Sequence, residues 1–464
     1  MYTIHPVAMH YAWGSYDRLQ RMFHLPETAS KQPLAEMWFS GHEQAPSLID
    51  IPRGAQHDGY AQRVPQAIVN NPEQMVGVRG SNEFGPVLPF LFKVISAREP
   101  LSLQVHPVGF QARAGFHEEN VLGIPLTDPR RSFKDMNEKS EMVVALEQFR
   151  ASVGFASRSF ALKNLSALAN PVAQRMARAL QPSLWHADSR DFAQADAMMP
   201  AKSVTWSPAR KAVFRAFHTA VTSASEVSNS ELVQDLLQAQ SQFTAHPRNH
   251  MAFDFAIRAA QSFPDDMSVL ALLMMNPLTL EEGESVYIEA GMPHVYIQGT
   301  GAEIMTNSDN VLRAGMTVKH KDLGHFLEAL NCKPGMPLDP SDAHIGTLTK
   351  RSMVFYRPQV REYMLVYGHV DAAQGSWPVM DALTRHYDKL VQQVSGRNVV
   401  PHLGPRVVLC TQGAVLCVTE RDRRVLRQGE AVFVPADDGW GSVEPVDDGS
   451  AAANGSYIVA STPF

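Results

Sequence analysis

Between about Ser157 and Met275 the chain has a different texture from everything on either side. Ala, Leu, Gln and Arg dominate, with apolar residues three and four apart, as in NSELVQDLLQAQSQF. That spacing is helical. Asn229 or Ser230 is the expected N-cap of this helix, and PDDM at Pro264 to Met267 marks the start of another. QPSLWHADSRD reads as a loop between helices. On both sides the signal is that of short strands. A helical block inserted into a β framework therefore bounds the fold class: mainly β, with a helical insertion.

Residues 86 to 106, PVLPFLFKVISAREPLSLQVH, hold two apolar, β-branched runs separated by a polar turn, which predicts two buried strands. In the second, Leu101, Leu103 and Val105 fall on one face and Ser102, Gln104 and His106 on the other. A row of polar groups aimed inward is costly unless something satisfies it. Strand signals return at Leu278 with LTLEEGESVYIEAGMPHVYIQG, the rhythm of a small β-barrel rim. Near the C-terminus GEAVFVPA echoes GESVYIEAG, but no histidine follows Ala436 as His294 follows Gly291. The second β unit is expected to lack a metal and to serve packing.

A chain of 464 residues exceeds one ordinary core, so two or three domains are expected. Its net charge of -6, with no concentrated basic stretch, argues against nucleic acid or an anionic membrane as partner. The three cysteines, Cys332, Cys410 and Cys417, match no disulfide framework or paired-cysteine zinc module, which fits a reducing compartment. MYTIHPVAMHYAWGS has no secretory pattern, and the longest apolar stretch, Val269 to Met275, is far short of the roughly 20 residues of a membrane span. A cytoplasmic location is expected.

Gln104 and His106 stand two apart on a predicted strand, side by side on one face. An amide oxygen and an imidazole so placed can grip one zinc ion, which accepts both donor types and keeps a position open when catalytic. The spacing alone is shared with ordinary structural histidines.

PFLFKVISAREPLSLQVHP, FKDMNEKSEMVVAL and HVYIQGTGAEIMTNSDNVLRAGMTVKH resemble, in order and with a helical block before the last, the successive motifs of type I phosphomannose isomerases. YAWGS and LAEMWFSGH resemble that family's N-terminal motifs. The resemblance covers most of residues 1 to 325 and fades beyond. It implies a cupin-like jelly-roll catalytic domain over 1–155 and 276–330, the helical insertion over 156–275, and a second, metal-free cupin-like β domain over 331–464. It also implies one zinc ion per chain, held by Gln104, His106, Glu141 and His294. Two neutral imidazoles, a neutral amide and one carboxylate leave such a site near +1, which preserves Lewis acidity toward sugar oxygens.

The activity implied is the interconversion of mannose 6-phosphate and fructose 6-phosphate through a cis-enediol, by a monomer with a place in GDP-mannose biosynthesis. Proton transfer falls to Glu303, Asp309 or Lys139, with Glu303 favoured because a buried carboxylate titrates nearer neutrality. Asp309 can equally cap a turn beside Asn310 and fix Arg313. Arg313, Lys319, Lys93 and Ser102 form an expected anion pocket for the phosphate, although Lys93 can also snorkel. Trp13, Glu36, Trp38 and Tyr296 shape the cavity, Trp38 with a competing role as core filler.

The chain departs from the family where Asn-His-Lys-Pro-Glu is usual, reading Asn137, Glu138, Lys139, Ser140 and Glu141. Val295, Thr306 and Val318 also replace family residues. A non-catalytic sugar-phosphate-binding protein, or a cupin metal oxygenase, are the alternatives these differences leave open.

Overall fold

The computed structural model describes residues 1–26, 31–52, 60–181, 192–337, 347–350, 352–373, 375–386, 402–446 and 454–464. The connection read as a loop at 182–191 lies outside them.

Two antiparallel sheet systems carry the chain. The first runs, from one edge, through Met275–Leu280, Phe149–Phe155, His294–Thr306, Phe90–Ala97, Glu36–Ser40 and Val7–Met9, with four shorter strands branching from it. The second takes its strands mostly from beyond residue 346, ordered Thr347–Lys350, Met353–Tyr356, Met364–Asp371, Asn454–Ser461, Arg406–Thr419 and Ala431–Val434. Arg423–Arg427 and Gly441–Pro445 pair with Arg406–Thr419, and three further strands come from the other end of the chain. Tyr2–His5 pairs with Ala431–Val434, and Leu48–Ile51 and Tyr60–Arg63 extend the sheet from there. Residues 1–155 are thus not wholly part of the first sheet system, as the expected division had them. One apolar core also joins Phe92, Val94 and Ile304 of the first system to Leu365, Val407 and Phe433 of the second. The boundary at 331 marks a change in the course of the chain, not a break in the core.

The insertion is helical as its periodicity predicts, from Arg158–Leu165 to Pro247–Ser262, and ends in the 3-10 turn Met267–Met274. Asp266 caps that turn, accepting from the Ser268 amide. The helix Asn229–Ser241 is capped by Ser228, one residue before the expected position. Ser228 Oγ accepts from the Glu231 amide while the Glu231 carboxylate accepts from the Ser228 amide. This reciprocal pair satisfies two terminal N–H groups. Among the described residues no helix is long and apolar enough to cross a membrane.

The helical block covers one face of the site strands. Leu103, Val105, Val295, Ile297 and Leu312 pack into its core, so the alternate residues Gln104, His294, Tyr296 and Arg313 face away from it. The expected alternation at 101–106 holds from Leu103 onward, where the strand Leu103–Val105 begins. Leu101 precedes it and packs elsewhere.

Three glycines carry special geometry. Gly283 and Gly429, both at φ 84°, open the echoed strands Ser285–Ile288 and Ala431–Val434, so the repeat in sequence is a repeat in backbone. Gly299 sits at φ 128° inside the long strand His294–Thr306, just beyond a register shift between Tyr296 and Gln298. A Cβ there would lie 2.5 Å from Gln148 O and 2.7 Å from Phe149 Cα. Gly299→Ala is expected to lower the unfolding free energy by about 2–3 kcal/mol, read as a shifted denaturant midpoint at unchanged slope.

Candidate metal centre and cavity

Three strands and one loop bring the donors together. Gln104 lies directly opposite both His294 and Arg313 in register. Glu141 opens the strand Glu141–Ala145, opposite Met305. His106 follows the strand Leu103–Val105. Its Nε2 is 3.1 Å from Glu141 Oε1, and His294 Nε2 is 3.4 Å from Glu141 Oε2. The two imidazole rings lie 4.9 Å apart, and all three side chains are buried.

The second nitrogens decide what the first can do. His106 Nδ1 donates to the Asn310 carbonyl at 2.8 Å, and His294 Nδ1 to the Met292 carbonyl at 3.0 Å. His106 therefore turns a bare Nε2 lone pair toward the carboxylate, and His294 presents its Nε2 to the same group. Burial pushes His106 down to about 4, which keeps that ring neutral. Burial alone would raise Glu141, but with the Lys139 ammonium 2.9 Å away its carboxyl is held well below the usual range. His106 Nε2 and Glu141 Oε2 have no hydrogen-bond partner. Buried acceptors without donors cost about 1–3 kcal/mol each. A cation bound among them relieves that cost.

His106, Glu141 and His294 offer donor atoms all within 4.8 Å of one another, as one metal ion requires. Gln104 Nε2 lies 3.0 Å from His294 Nε2, and Ser102 Oγ donates to Gln104 Oε1 at 3.3 Å. A half-turn of the amide presents Oε1 to the cluster and its NH2 to Ser102, so Gln104 is available as a neutral fourth donor. The donor set, the fixed tautomers and the orphaned acceptors fit a zinc-type metal.

The cluster borders a cavity of about 370 Å³. Every site residue expected from sequence lines it except His106 and His294, which lie buried beside Glu141. Glu303 is held from two sides, accepting from Tyr296 OH at 2.6 Å and from Lys93 Nζ at 2.9 Å. Burial raises its pKa, against the opposing pull of Lys93. Burial likewise works against the charge of Lys93, but Glu303 and Glu36 hold its pKa well above the ordinary lysine value. Lys93 is therefore not the free cation of the expected anion pocket: its ammonium also contacts Glu36 Oε1 at 3.1 Å. Lys139 is committed too, 2.9 Å from Glu141 Oε1.

Arg313 and Lys319 differ. Among the described residues neither side chain makes an ion pair or hydrogen bond, and burial lowers the pKa of both. Asp309 supports their charge through space without bonding to either. The Asp309 backbone is fixed instead, its N–H donating to Asp135 Oδ2 at 2.9 Å. Trp38 is no mere core filler. Its indole N–H donates to Glu36 Oε2 at 2.8 Å, and Lys93 stands 5.4 Å over its ring.

Sequence reasoning missed two contributors. Tyr11 lines the cavity, stacks on Trp13 at 5.6 Å, and carries Lys319 4.5 Å over its ring. Its place two residues before Trp13 was the available signal. Asn310 orients His106 through its carbonyl and binds Asp135 and Asn137 through its amide. A backbone acceptor leaves no trace in composition.

Residues 1–158 match the model of the type I phosphomannose isomerase catalytic domain. The chain is 32% identical to the mannose-6-phosphate isomerase of Escherichia coli over 313 residues, 68% of this chain and 70% of that one. It is 29% identical to that of Salmonella typhimurium over 429 residues, 92% of this chain and 93% of the other. Its fold superposes on the Salmonella typhimurium apo mannose 6-phosphate isomerase with a TM-score of 0.74 at 23% identity, over 100% of this chain and 99% of that one. A zinc-bound mannose 6-phosphate isomerase gives a TM-score of 0.74 at 24% identity, with the same coverage. A relative of that identity and coverage, with a catalytic-domain match over the segment that supplies Gln104, His106 and Glu141, places this chain in the type I phosphomannose isomerase family.

Proposed function

We propose that the chain is a zinc-dependent aldose-ketose isomerase that interconverts mannose 6-phosphate and fructose 6-phosphate. The observation that carries this reading is one cavity bordered by a proton-free nitrogen and oxygen cluster, a buried carboxylate and two unpaired cations. The relatives' names point to the same reaction. We read the β framework as two cupin-like jelly rolls, with the helical block inserted in the first.

Glu303 is the proton carrier in this reading. Its carboxylate takes the proton from C2 of the aldose, the electrons of that C–H bond become the C1–C2 double bond, and the C1–O1 π pair moves onto O1, giving the cis-enediol as its enediolate. The same carboxyl returns the proton to C1 while the hydroxyl proton passes from O2 to O1. Tyr296 and Lys93 each donate to one oxygen of Glu303, which fixes the plane of the carboxylate, and burial brings its affinity for a proton nearer to neutrality. Zinc held by His106, Glu141, His294 and Gln104 would supply Lewis acidity toward the sugar oxygens, where negative charge develops. Arg313 and Lys319 receive the phosphate, since theirs are the charges not already matched by a carboxylate. The Arg313 fork and the Lys319 point charge suit an oxyanion.

Chelation with EDTA is expected to abolish conversion of mannose 6-phosphate in an enzyme-linked assay, and zinc to restore it. Bound iron with oxygen uptake would sink the isomerase reading. Glu303→Gln should lower kcat by about 10²–10⁴-fold with zinc content unchanged, measured by turnover and metal analysis side by side. Lys319→Ala and Arg313→Ala should each raise KM for the phosphorylated sugar by roughly tenfold or more. Unchanged KM in both would place the phosphate elsewhere.

A further inference from the structure

Lys93 is shared between two carboxylates on different strands. Its Nζ is 2.9 Å from Glu303 Oε2 and 3.1 Å from Glu36 Oε1. The register lines these groups up: Glu303 lies directly opposite Lys93, and Lys93 directly opposite Trp38, two residues along the strand from Glu36. Glu36 is itself anchored, because the Trp38 indole N–H donates to its other oxygen at 2.8 Å. All four side chains are at least nine-tenths buried. The proposed mechanism uses Glu303, yet nothing in it requires Glu36 or the indole N–H.

A lone buried lysine against a lone buried carboxylate makes a closed pair, in which the anion is stabilised and a poor base. A second carboxylate on the same lysine changes that balance. It divides the ammonium's hydrogen bonds and adds a like charge near the first. We propose, resting on the isomerase reading above, that Glu36 is a positioning residue: by sharing Lys93 with Glu303 it keeps Glu303 basic enough to take the carbon-bound proton, and Trp38 holds Glu36 in place for this. Among the described residues, the charged and titratable groups around Glu303 are Tyr296 on its own strand, Lys93 and Glu141 on the two strands paired with it, and Glu36 on the next strand beyond Lys93. Only Glu36 among these is neither bonded to Glu303 nor part of the metal cluster, so removing it changes the balance at Lys93 while leaving both intact.

The test is the pH dependence of kcat for mannose 6-phosphate in the zinc-loaded enzyme, with zinc content measured at each pH. In Glu36→Gln the acid limb should move down by about one pH unit and the plateau of kcat fall several-fold, because Lys93 then belongs to Glu303 alone. KM should hold. Trp38→Phe keeps the ring under Lys93 but loses the N–H, and should move the limb the same way by a smaller amount. It carries the test if Glu36→Gln does not fold. An acid limb at the wild-type position in the folded variants, whatever the loss of rate, overturns the positioning role. Persistence of that limb in Glu303→Gln would instead overturn the base assignment, and the inference with it.

Discussion

The cavity depends on a slip of one residue in a single strand. His294, Tyr296 and Glu303 all belong to His294–Thr306, but 294 and 296 are even and 303 is odd, so on a regular strand Glu303 would point away from the other two. Yet Tyr296 OH reaches Glu303 Oε1 at 2.6 Å. The register shift between Tyr296 and Gln298, with Gly299 at φ 128° directly after it, restores the alignment. The same irregularity lets the strand change partners. Its first half pairs with Phe149–Phe155 and its second with Phe90–Ala97 and Glu141–Ala145, which bring in Lys93 and Glu141. The His106, Glu141 and His294 cluster and the Glu303 carboxylate meet because one strand bends between them.

Gathering these groups places Lys93 and Lys139 against Glu36, Glu141 and Glu303 in a nearly dry region. Two cations and three anions leave one negative charge in excess, which a divalent ion would turn into one positive. Such a set is not there for stability, since buried ion pairs barely repay their desolvation. It is tolerated because the partners interlock: Lys139 pairs with one oxygen of Glu141, and Lys93 bridges Glu303 and Glu36. The acceptors left over, His106 Nε2 and Glu141 Oε2, are those the metal cluster needs.

Much of this was legible in the sequence, for identifiable reasons. The helical block announced itself by period, and the polar face at Ser102, Gln104 and His106 by alternation, since both signals are local. Residues that act through their own side chains, such as His294 and Arg313, were named through the motifs that resemble the family's. What stayed hidden was relational. No periodicity shows that Lys93 is taken up by two carboxylates, that Tyr2–His5 completes a sheet formed some 400 residues later, or that a main-chain carbonyl at Asn310 sets the His106 tautomer. The slip before Gly299 was hidden too. It separates an odd-numbered carboxylate that faces the cavity from one that does not.

The replacement of a family histidine by Glu138 looked the most serious departure, and the structure gives it another address. Glu138 Oε2 accepts from the Gly109 amide at 2.9 Å, at the first turn of the helix Gly109–Val121. A carboxylate there meets an unpaired N–H and the positive end of the helix, a setting in which a negative charge is stabilised. Glu138 does not line the cavity, whereas its neighbours Lys139 and, two residues further, Glu141 do. Strand-like alternation alone would have turned Lys139 and Glu141 the same way and Glu138 opposite, as found. The substitution therefore works on the outer side of the segment, in a helix cap. In the isomerase reading proposed above, proton transfer falls to Glu303 and its partners, and that reading needs no histidine at position 138.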